Sequence, residues 1–165
     1  MSDLVLTEEQ QLLQSSAADF AKNLPVSRVR ALRDAGDPLG FSLETWRSMA
    51  ELGWPGILLP EEYGGLGLGY AELAVVLEEL GKVLAPEPFL STVLLAGNAI
   101  LLGGSDAQKK ELLPRVASGD LVLAFAHHEP GARHDPYRVE TRAEAQGGGF
   151  RLTGVKDIVL DGAAA

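Results

Sequence analysis

All three histidines of the chain, His127, His128 and His134, fall in one short window. Arg133, Arg138, Glu129 and Asp135 share it. Such a cluster suggests either a metal site or a cradle for an anion. Metal is the weaker reading, because successive residues on an extended chain point to opposite faces and His127 and His128 hardly share one ion. The anion reading is stronger, since in a chain of net charge −9 this window is a local positive patch. Glu129 and Asp135 sit among Pro130 and Gly131, with no sequence neighbour that sets their pKa, and no nucleophile–base pair is evident. A solvated loop is the plain alternative.

A second candidate is the glycine run Gly64-Gly65-Leu66-Gly67-Leu68-Gly69. It lacks the Gly-Lys-Ser/Thr ending of a phosphate loop, contains no basic residue and follows helices rather than a strand, so it reads as a structural turn.

The bulk properties narrow the field. The acidic balance disfavours a nucleic-acid partner, which needs clustered Lys and Arg, and disfavours an anionic membrane surface. The chain has no cysteine, so disulfides and thiolate chemistry are excluded. No signal-like leader and no apolar run of membrane-spanning length is visible. The expectation is a cytoplasmic protein.

The elements that position these residues divide into two halves. Residues 1–118 carry helical periodicity. A first helix opens at Thr7, with Gln10 completing a capping box, and buries Leu13, Ala17, Phe20 and Ala21. A short helix over 26–35 and a third over 43–52 follow. The third is capped by Ser42, closed by Gly53, and buries Trp46, Met49 and Ala50. A fourth covers 70–84, with Leu73, Val76, Leu77, Leu80 and Leu84 at helical spacing. A fifth, over 90–102, is apolar nearly all round and is therefore expected to be buried. Ser105 and Gln108 cap a sixth that runs to about Ala117 and that Pro114 should bend or end.

From Leu121 the pattern becomes strand-like. Residues 121–126 are apolar on both faces and predict a sandwiched strand. Residues 139–145 alternate as a half-exposed strand, Gln146-Gly147-Gly148-Gly149 is a hairpin turn, and Phe150 to Thr153 is the return strand. Lys156 to Leu160 is a further strand candidate. The fold class is α+β: an all-α N-terminal domain (1–118), then the first strands of an antiparallel β-domain (119–165). That β part looks incomplete, with an open edge for other polypeptide to cover.

Four stretches carry a resemblance to a known family: Leu6-Thr7-Glu8-Glu9-Gln10; Leu52-Gly53-Trp54-Pro55-Gly56-Ile57 leading into Pro60-Glu61-Glu62-Tyr63-Gly64-Gly65-Leu66-Gly67; Glu78-Glu79-Leu80-Gly81; and the span from Lys109 to Ala132 with Glu129-Pro130-Gly131 near its end. In this order they resemble the acyl-CoA dehydrogenases, over essentially the whole chain. The resemblance implies a helical domain, a middle β-domain and a C-terminal helical bundle enclosing FAD and an acyl-CoA thioester, with C-terminal bundle absent here. It implies α,β-desaturation, in which a carboxylate base takes the α-proton and the β-hydride passes to the flavin. That base belongs to the bundle, so this chain holds no catalytic residue and is expected to be inactive alone. The resemblance further implies a homo- or hetero-oligomer and an electron-transfer flavoprotein as partner.

The resemblance assigns flavin-facing positions to Phe125, His127, His128, His134, Ile158, Val159 and Leu160, with His134 also facing substrate. Several depart from the family pattern. His128 stands where threonine is usual, His134 where a serine commonly contacts flavin or substrate, and Phe125 where tyrosine is frequent. Ile158-Val159-Leu160-Asp161 stands where the family has Trp-Ile-Thr-Asn, without the aromatic plate and the threonine hydroxyl. Two alternatives therefore accompany the catalytic reading: a non-catalytic, flavin-poor partner subunit of a hetero-oligomeric acyl-CoA dehydrogenase, and a related flavin oxidase or monooxygenase.

Overall fold

A computed structural model describes residues 5–132 and 135–165. Six α-helices come first: α1 (Glu8–Lys22), α2 (Ser27–Asp34), α3 (Leu43–Glu51), α4 (Tyr70–Lys82), α5 (Asn98–Gly103) and α6 (Asp106–Ala117). Two strands follow, β1 (Arg142–Gln146) and β2 (Gly149–Thr153). Among the described residues, no helix is long and apolar enough to cross a membrane.

The helix starts follow local chemistry. Thr7 Oγ1 accepts the Gln10 N–H at 3.2 Å, and Gln10 Oε1 accepts the Thr7 N–H at 3.0 Å. Gln10 then donates from Nε2 to Glu72 at 2.8 Å, tying α1 to α4. Glu72 also accepts the Gly69 N–H at 2.9 Å, and these bonds, the one from Gln10 foremost, hold its pKa below the usual carboxylate value. Ser105 and Gln108 repeat the reciprocal cap at α6, and Ser42 caps α3.

The apolar stripes meet in one core built from Ala17, Trp46, Met49, Trp54, Ile57, Leu73, Val76, Leu80 and Val93, with Leu13, Phe20 and Leu77 packed at its margin. Phe20 meets Trp54 edge-on, ring centroids 5.0 Å apart. Among the core residues, a fully buried side chain of the size of Val76, Ile57, Leu73 or Met49 contributes about 1.5–3 kcal/mol. A smaller cluster of Leu59, Leu113, Val116 and Ala117 lies under α6, with Leu121 and Leu123 against it.

The helical half departs from the sequence expectations at two places. Helix α4 ends at Lys82, and Leu84 is 60% exposed with left-handed backbone (φ 51°). The fifth helical segment is wound as a π-helix over Leu90–Gly97 before α5 continues it, and it is buried on one side only: Leu90 and Leu102 are exposed. Helix α6 runs through Pro114 to Ala117. Proline there forfeits a hydrogen bond and crowds the carbonyl of Lys110, but it does not end the helix, and the Ser118 N–H still closes onto the Pro114 carbonyl at 3.0 Å.

The β half departs further. Residues 121–126 form no strand and lie half-buried or exposed rather than sandwiched. Their anchorage comes from a side chain, Thr92, whose hydroxyl accepts the Leu123 N–H at 3.1 Å and donates to the Leu123 carbonyl at 3.0 Å. Strands β1 and β2 pair antiparallel, with Gln146 opposite Gly149. Gly147 and Gly148 both have positive φ (59° and 83°), the requirement of a two-residue type I′ turn. The expected half-exposed strand is instead exposed on both faces, with Phe150 and Leu152 open to solvent. Residues 156–160 are not a strand.

Candidate functional site

The ribbon that follows α6 runs from Leu121 to Ala132 and carries most of the singled-out side chains. Phe125 and His127 stack at 5.2 Å between ring centroids, 16° from parallel, on the exposed side. The His128 ring stands across that of His127, 85° from parallel, and its Nδ1 is hydrogen-bonded to Asp157. A cleft of about 170 Å³ opens between His127, His128, Ala132, Asp135 and Pro136. His134, the residue expected to face substrate, and Arg133 lie outside the described residues.

The structure brings the two expected flavin-facing segments together. The Asp157 N–H donates to the His128 carbonyl at 3.1 Å. Lys156 Nζ lies 3.4 Å from the His127 carbonyl. The chain then turns outward over Ile158, Val159 and Leu160, with Ile158 and Leu160 exposed and Val159 half-buried. It returns at Asp161, whose carboxylate accepts from Ser91 Oγ on the π-helix at 2.5 Å. Ile158 has φ 49°, a left-handed conformation that a β-branched residue rarely adopts.

Glu129 underlies this arrangement. The sequence placed it in a loop with nothing to set its pKa, and the structure corrects that. Glu129 is buried, 4% exposed. It accepts from Lys156 Nζ at 2.7 Å, from Thr141 Oγ1 at 2.5 Å, and from the N–H groups of Glu140 at 2.6 Å and Thr141 at 3.2 Å. The Lys156 ammonium first, then the Thr141 hydroxyl and the Glu140 amide, lower its pKa to about 2 against the opposing effect of burial. Glu129 is thus a fixed anion that fastens three segments, and it is unsuited to proton transfer near neutrality.

Sequence reasoning did not single out Lys156, Thr141, Asp157, Ser91 or Thr92. Each is an ordinary polar residue whose partner lies far along the chain. The one available signal was Glu129 itself, an acidic residue in a loop flanked by proline and glycine.

The glycine run takes the structural role expected of it. Its N–H groups are consumed internally: Leu66 donates to Gly56 O at 2.9 Å, Gly67 to Leu59 O at 2.9 Å and Leu68 to Ile57 O at 2.9 Å. By contrast, no hydrogen bond among the described residues uses the N–H of Phe125, Ala126 or His127. The Phe125 ring beside them is exposed, as are the apolar side chains of Ile158 and Leu160.

The fold is thus a helical domain that leads, through this ribbon, into an exposed antiparallel hairpin. The chain belongs to the acyl-CoA dehydrogenase family: residues 7–120 match the family model "Acyl-CoA dehydrogenase, N-terminal domain". Cyclohex-1-ene-1-carbonyl-CoA dehydrogenase of Syntrophus aciditrophicus is 36% identical over 97% of the chain and 38% of its own length. An acyl-CoA dehydrogenase of Bacillus anthracis, solved in complex with FAD, superposes with a TM-score of 0.81 at 26% identity over 96% of the chain and 28% of its own. The ChsE4–ChsE5 complex of Mycobacterium tuberculosis superposes with a TM-score of 0.75 at 31% identity over 93% of the chain and 39% of the solved one. The chain spans well under half the length of the curated relatives it matches.

Proposed function

We propose that this chain supplies the helical N-terminal domain and one flavin-facing wall of an FAD-dependent acyl-CoA dehydrogenase that desaturates an acyl-CoA thioester. The domain boundary of this reading falls at about residue 118, where the helical pattern gives way to the ribbon. The observation that carries it is the contact of His127 and His128 with Lys156 and Asp157, which brings the chain after Phe125 up to the start of 158–160. The first pair belongs to the segment that the family resemblance assigns to the cofactor, and the second pair directly precedes Ile158, Val159 and Leu160, the other segment it assigns.

The residues present fit a flavin through backbone and apolar groups more than through side-chain polarity. The ring of Phe125 and the N–H groups of 125–127 would meet the cofactor from one arm. His128 flanks that arm, and Ile158, Val159 and Leu160 would supply the other. His134 would face substrate. When bound, FAD supplies the hydride acceptor. The chain's own part is to bind, orient and exclude water; the proton-abstracting base is expected from polypeptide beyond these residues. An oligomer of like or unlike subunits, an electron-transfer flavoprotein as electron acceptor and a cytoplasmic location complete the proposal.

A second reading is a non-catalytic subunit beside a flavin-bearing one. Ile158 and Leu160 offer neither an aromatic plate nor a hydroxyl, and an unpartnered polar atom in a buried site costs about 1–3 kcal/mol. The likeness to a chain of a ChsE4–ChsE5 complex supports weighing this reading.

The ultraviolet–visible spectrum of the purified chain, alone and with a candidate partner, decides between them. A flavin spectrum from the chain alone excludes the non-catalytic reading. Absence of both flavin and acyl-CoA-dependent dye reduction in the complete assembly overturns the dehydrogenase reading.

A further inference from the structure

Ser91 and Thr92 are adjacent on the π-helix, both fully buried, and each grips a different flavin-facing arm. Thr92 Oγ1 holds Leu123 by both backbone groups, at 3.1 and 3.0 Å, just ahead of Phe125. Ser91 Oγ meets Asp161 Oδ2 at 2.5 Å, just after Leu160, and also lies 3.2 Å from the Pro88 carbonyl. The second arm is therefore tied at both ends, by Lys156 and Asp157 to the first arm and by Asp161 to the helical domain. Ala164 adds a packing contact against the main core. Between these ties Ile158 keeps left-handed backbone (φ 49°), and so does the tie residue Asp161 (φ 54°). Such a conformation persists only where the surroundings over-determine it. π-helical turns are often placed at functional sites, and this one presents two successive hydroxyls to two separate segments.

We infer that Ser91 and Thr92 are positioning residues: the π-helical turn sets the spacing and tilt of the two arms, Thr92 through Leu123 and Ser91 through Asp161. The inference rests on the flavin reading for its purpose, though the clamp itself can be read without flavin.

The test uses the full chain with Thr92→Val, Thr92→Ser, Ser91→Ala, Asp161→Ala and Asp161→Asn. Amide hydrogen exchange is followed over 121–128 and 157–162, alongside the affinity for added FAD and the absorption spectrum of the bound flavin. Thr92→Val is expected to speed exchange at the Leu123 amide roughly tenfold, about the worth of one lost hydrogen bond. It should also weaken FAD binding by a similar factor and shift the flavin bands, while Thr92→Ser restores both. Ser91→Ala and Asp161→Ala are expected to loosen 158–162. Asp161→Asn, which keeps an acceptor and tolerates left-handed backbone, should stay near wild type.

Unchanged exchange in Thr92→Val and Ser91→Ala overturns the inference. So does faster exchange with FAD affinity and spectrum unmoved, since the hydroxyls would then be structural only. If Ser91→Ala does not fold, the Asp161 pair carries the same test from the exposed side, and if Thr92→Val does not fold, Thr92→Ala takes its place. A wild-type chain that binds no FAD, alone or with its partners, overturns the flavin reading instead, and the clamp then stands or falls on exchange alone.

Discussion

Lys156 sets its ammonium nitrogen 2.7 Å from Glu129 Oε1, joining positions 27 residues apart. The pair fastens the ribbon after α6 to the segment beyond the hairpin, and Thr141 at the approach to β1 is drawn into the same carboxylate. A buried carboxylate with this many donors is held ionised well below the usual carboxylate range.

That state gives a pH dependence of definite sign. The folded-state pKa of Glu129 is lowered from 4.5 to about 2, so the stabilisation it contributes is complete above pH 4.5 and is lost as pH falls toward 2. Amide exchange at Glu140 and Thr141, whose N–H groups bond to Glu129, is expected to speed up across that window after correction for intrinsic rates. Glu129→Gln should show fast exchange at every pH. A wild type whose protection at these amides is flat between pH 4.5 and 2 contradicts the assignment.

Arg28 and Glu87 form a two-point ion pair, Nη1 to Oε1 and Nη2 to Oε2 both at 2.7 Å, between α2 and the segment that precedes the π-helix. The Glu87 side chain is fully shielded from solvent. Removing only the arginine strands a buried carboxylate, so Arg28→Ala is expected to cost about 3–5 kcal/mol. Arg28→Lys should recover part of this, because an ammonium cannot reproduce the planar fork. Replacing both partners, Arg28→Met with Glu87→Leu, should cost less than Arg28→Ala alone. Denaturant unfolding of the three variants checks the order, and a double variant less stable than Arg28→Ala refutes it.

Much of the helical domain is legible in the sequence because its determinants are local. Thr7 with Gln10, Ser42, and Ser105 with Gln108 cap helices by bonds three residues long, and the stripes through Trp46, Met49, Leu73 and Val76 follow one helical period. The π-helix was not legible, since an apolar segment reads the same whether its turns close after four residues or five. The strand expected over 121–126 failed for a different reason. Apolar alternation creates the capacity to pair, but pairing needs a neighbouring strand, and here Leu123 is held by the Thr92 hydroxyl instead. The site is half legible on the same logic. Phe125, His127 and His128 are visible as residue types, whereas Lys156, Asp157 and Ser91 act only through contacts that the folded chain creates.

The glycine run separates two physical reasons for glycine within one loop. At Gly65 a Cβ would stand 2.0 Å from the Leu59 carbonyl oxygen, a clash with backbone that no side-chain rotation relieves. At Gly67 a Cβ would meet nothing within 4 Å, but φ is +62°. Gly65→Ala is therefore a packing defect where Leu59 joins the cluster under α6, expected to cost about 3 kcal/mol or more. Gly67→Ala bears only the left-handed strain of an L-residue, about 1–2 kcal/mol. Gly67→Asn should recover part of that, because asparagine tolerates the conformation, whereas Gly65→Asn should be at least as damaging as Gly65→Ala. Thermal unfolding of the four variants gives the order directly. A phosphate-cradling loop would behave otherwise: its glycines would matter to ligand binding more than to stability. Here the Gly67 N–H is already committed to the Leu59 carbonyl, so the substitutions should register in the melting temperature whether or not any ligand is present.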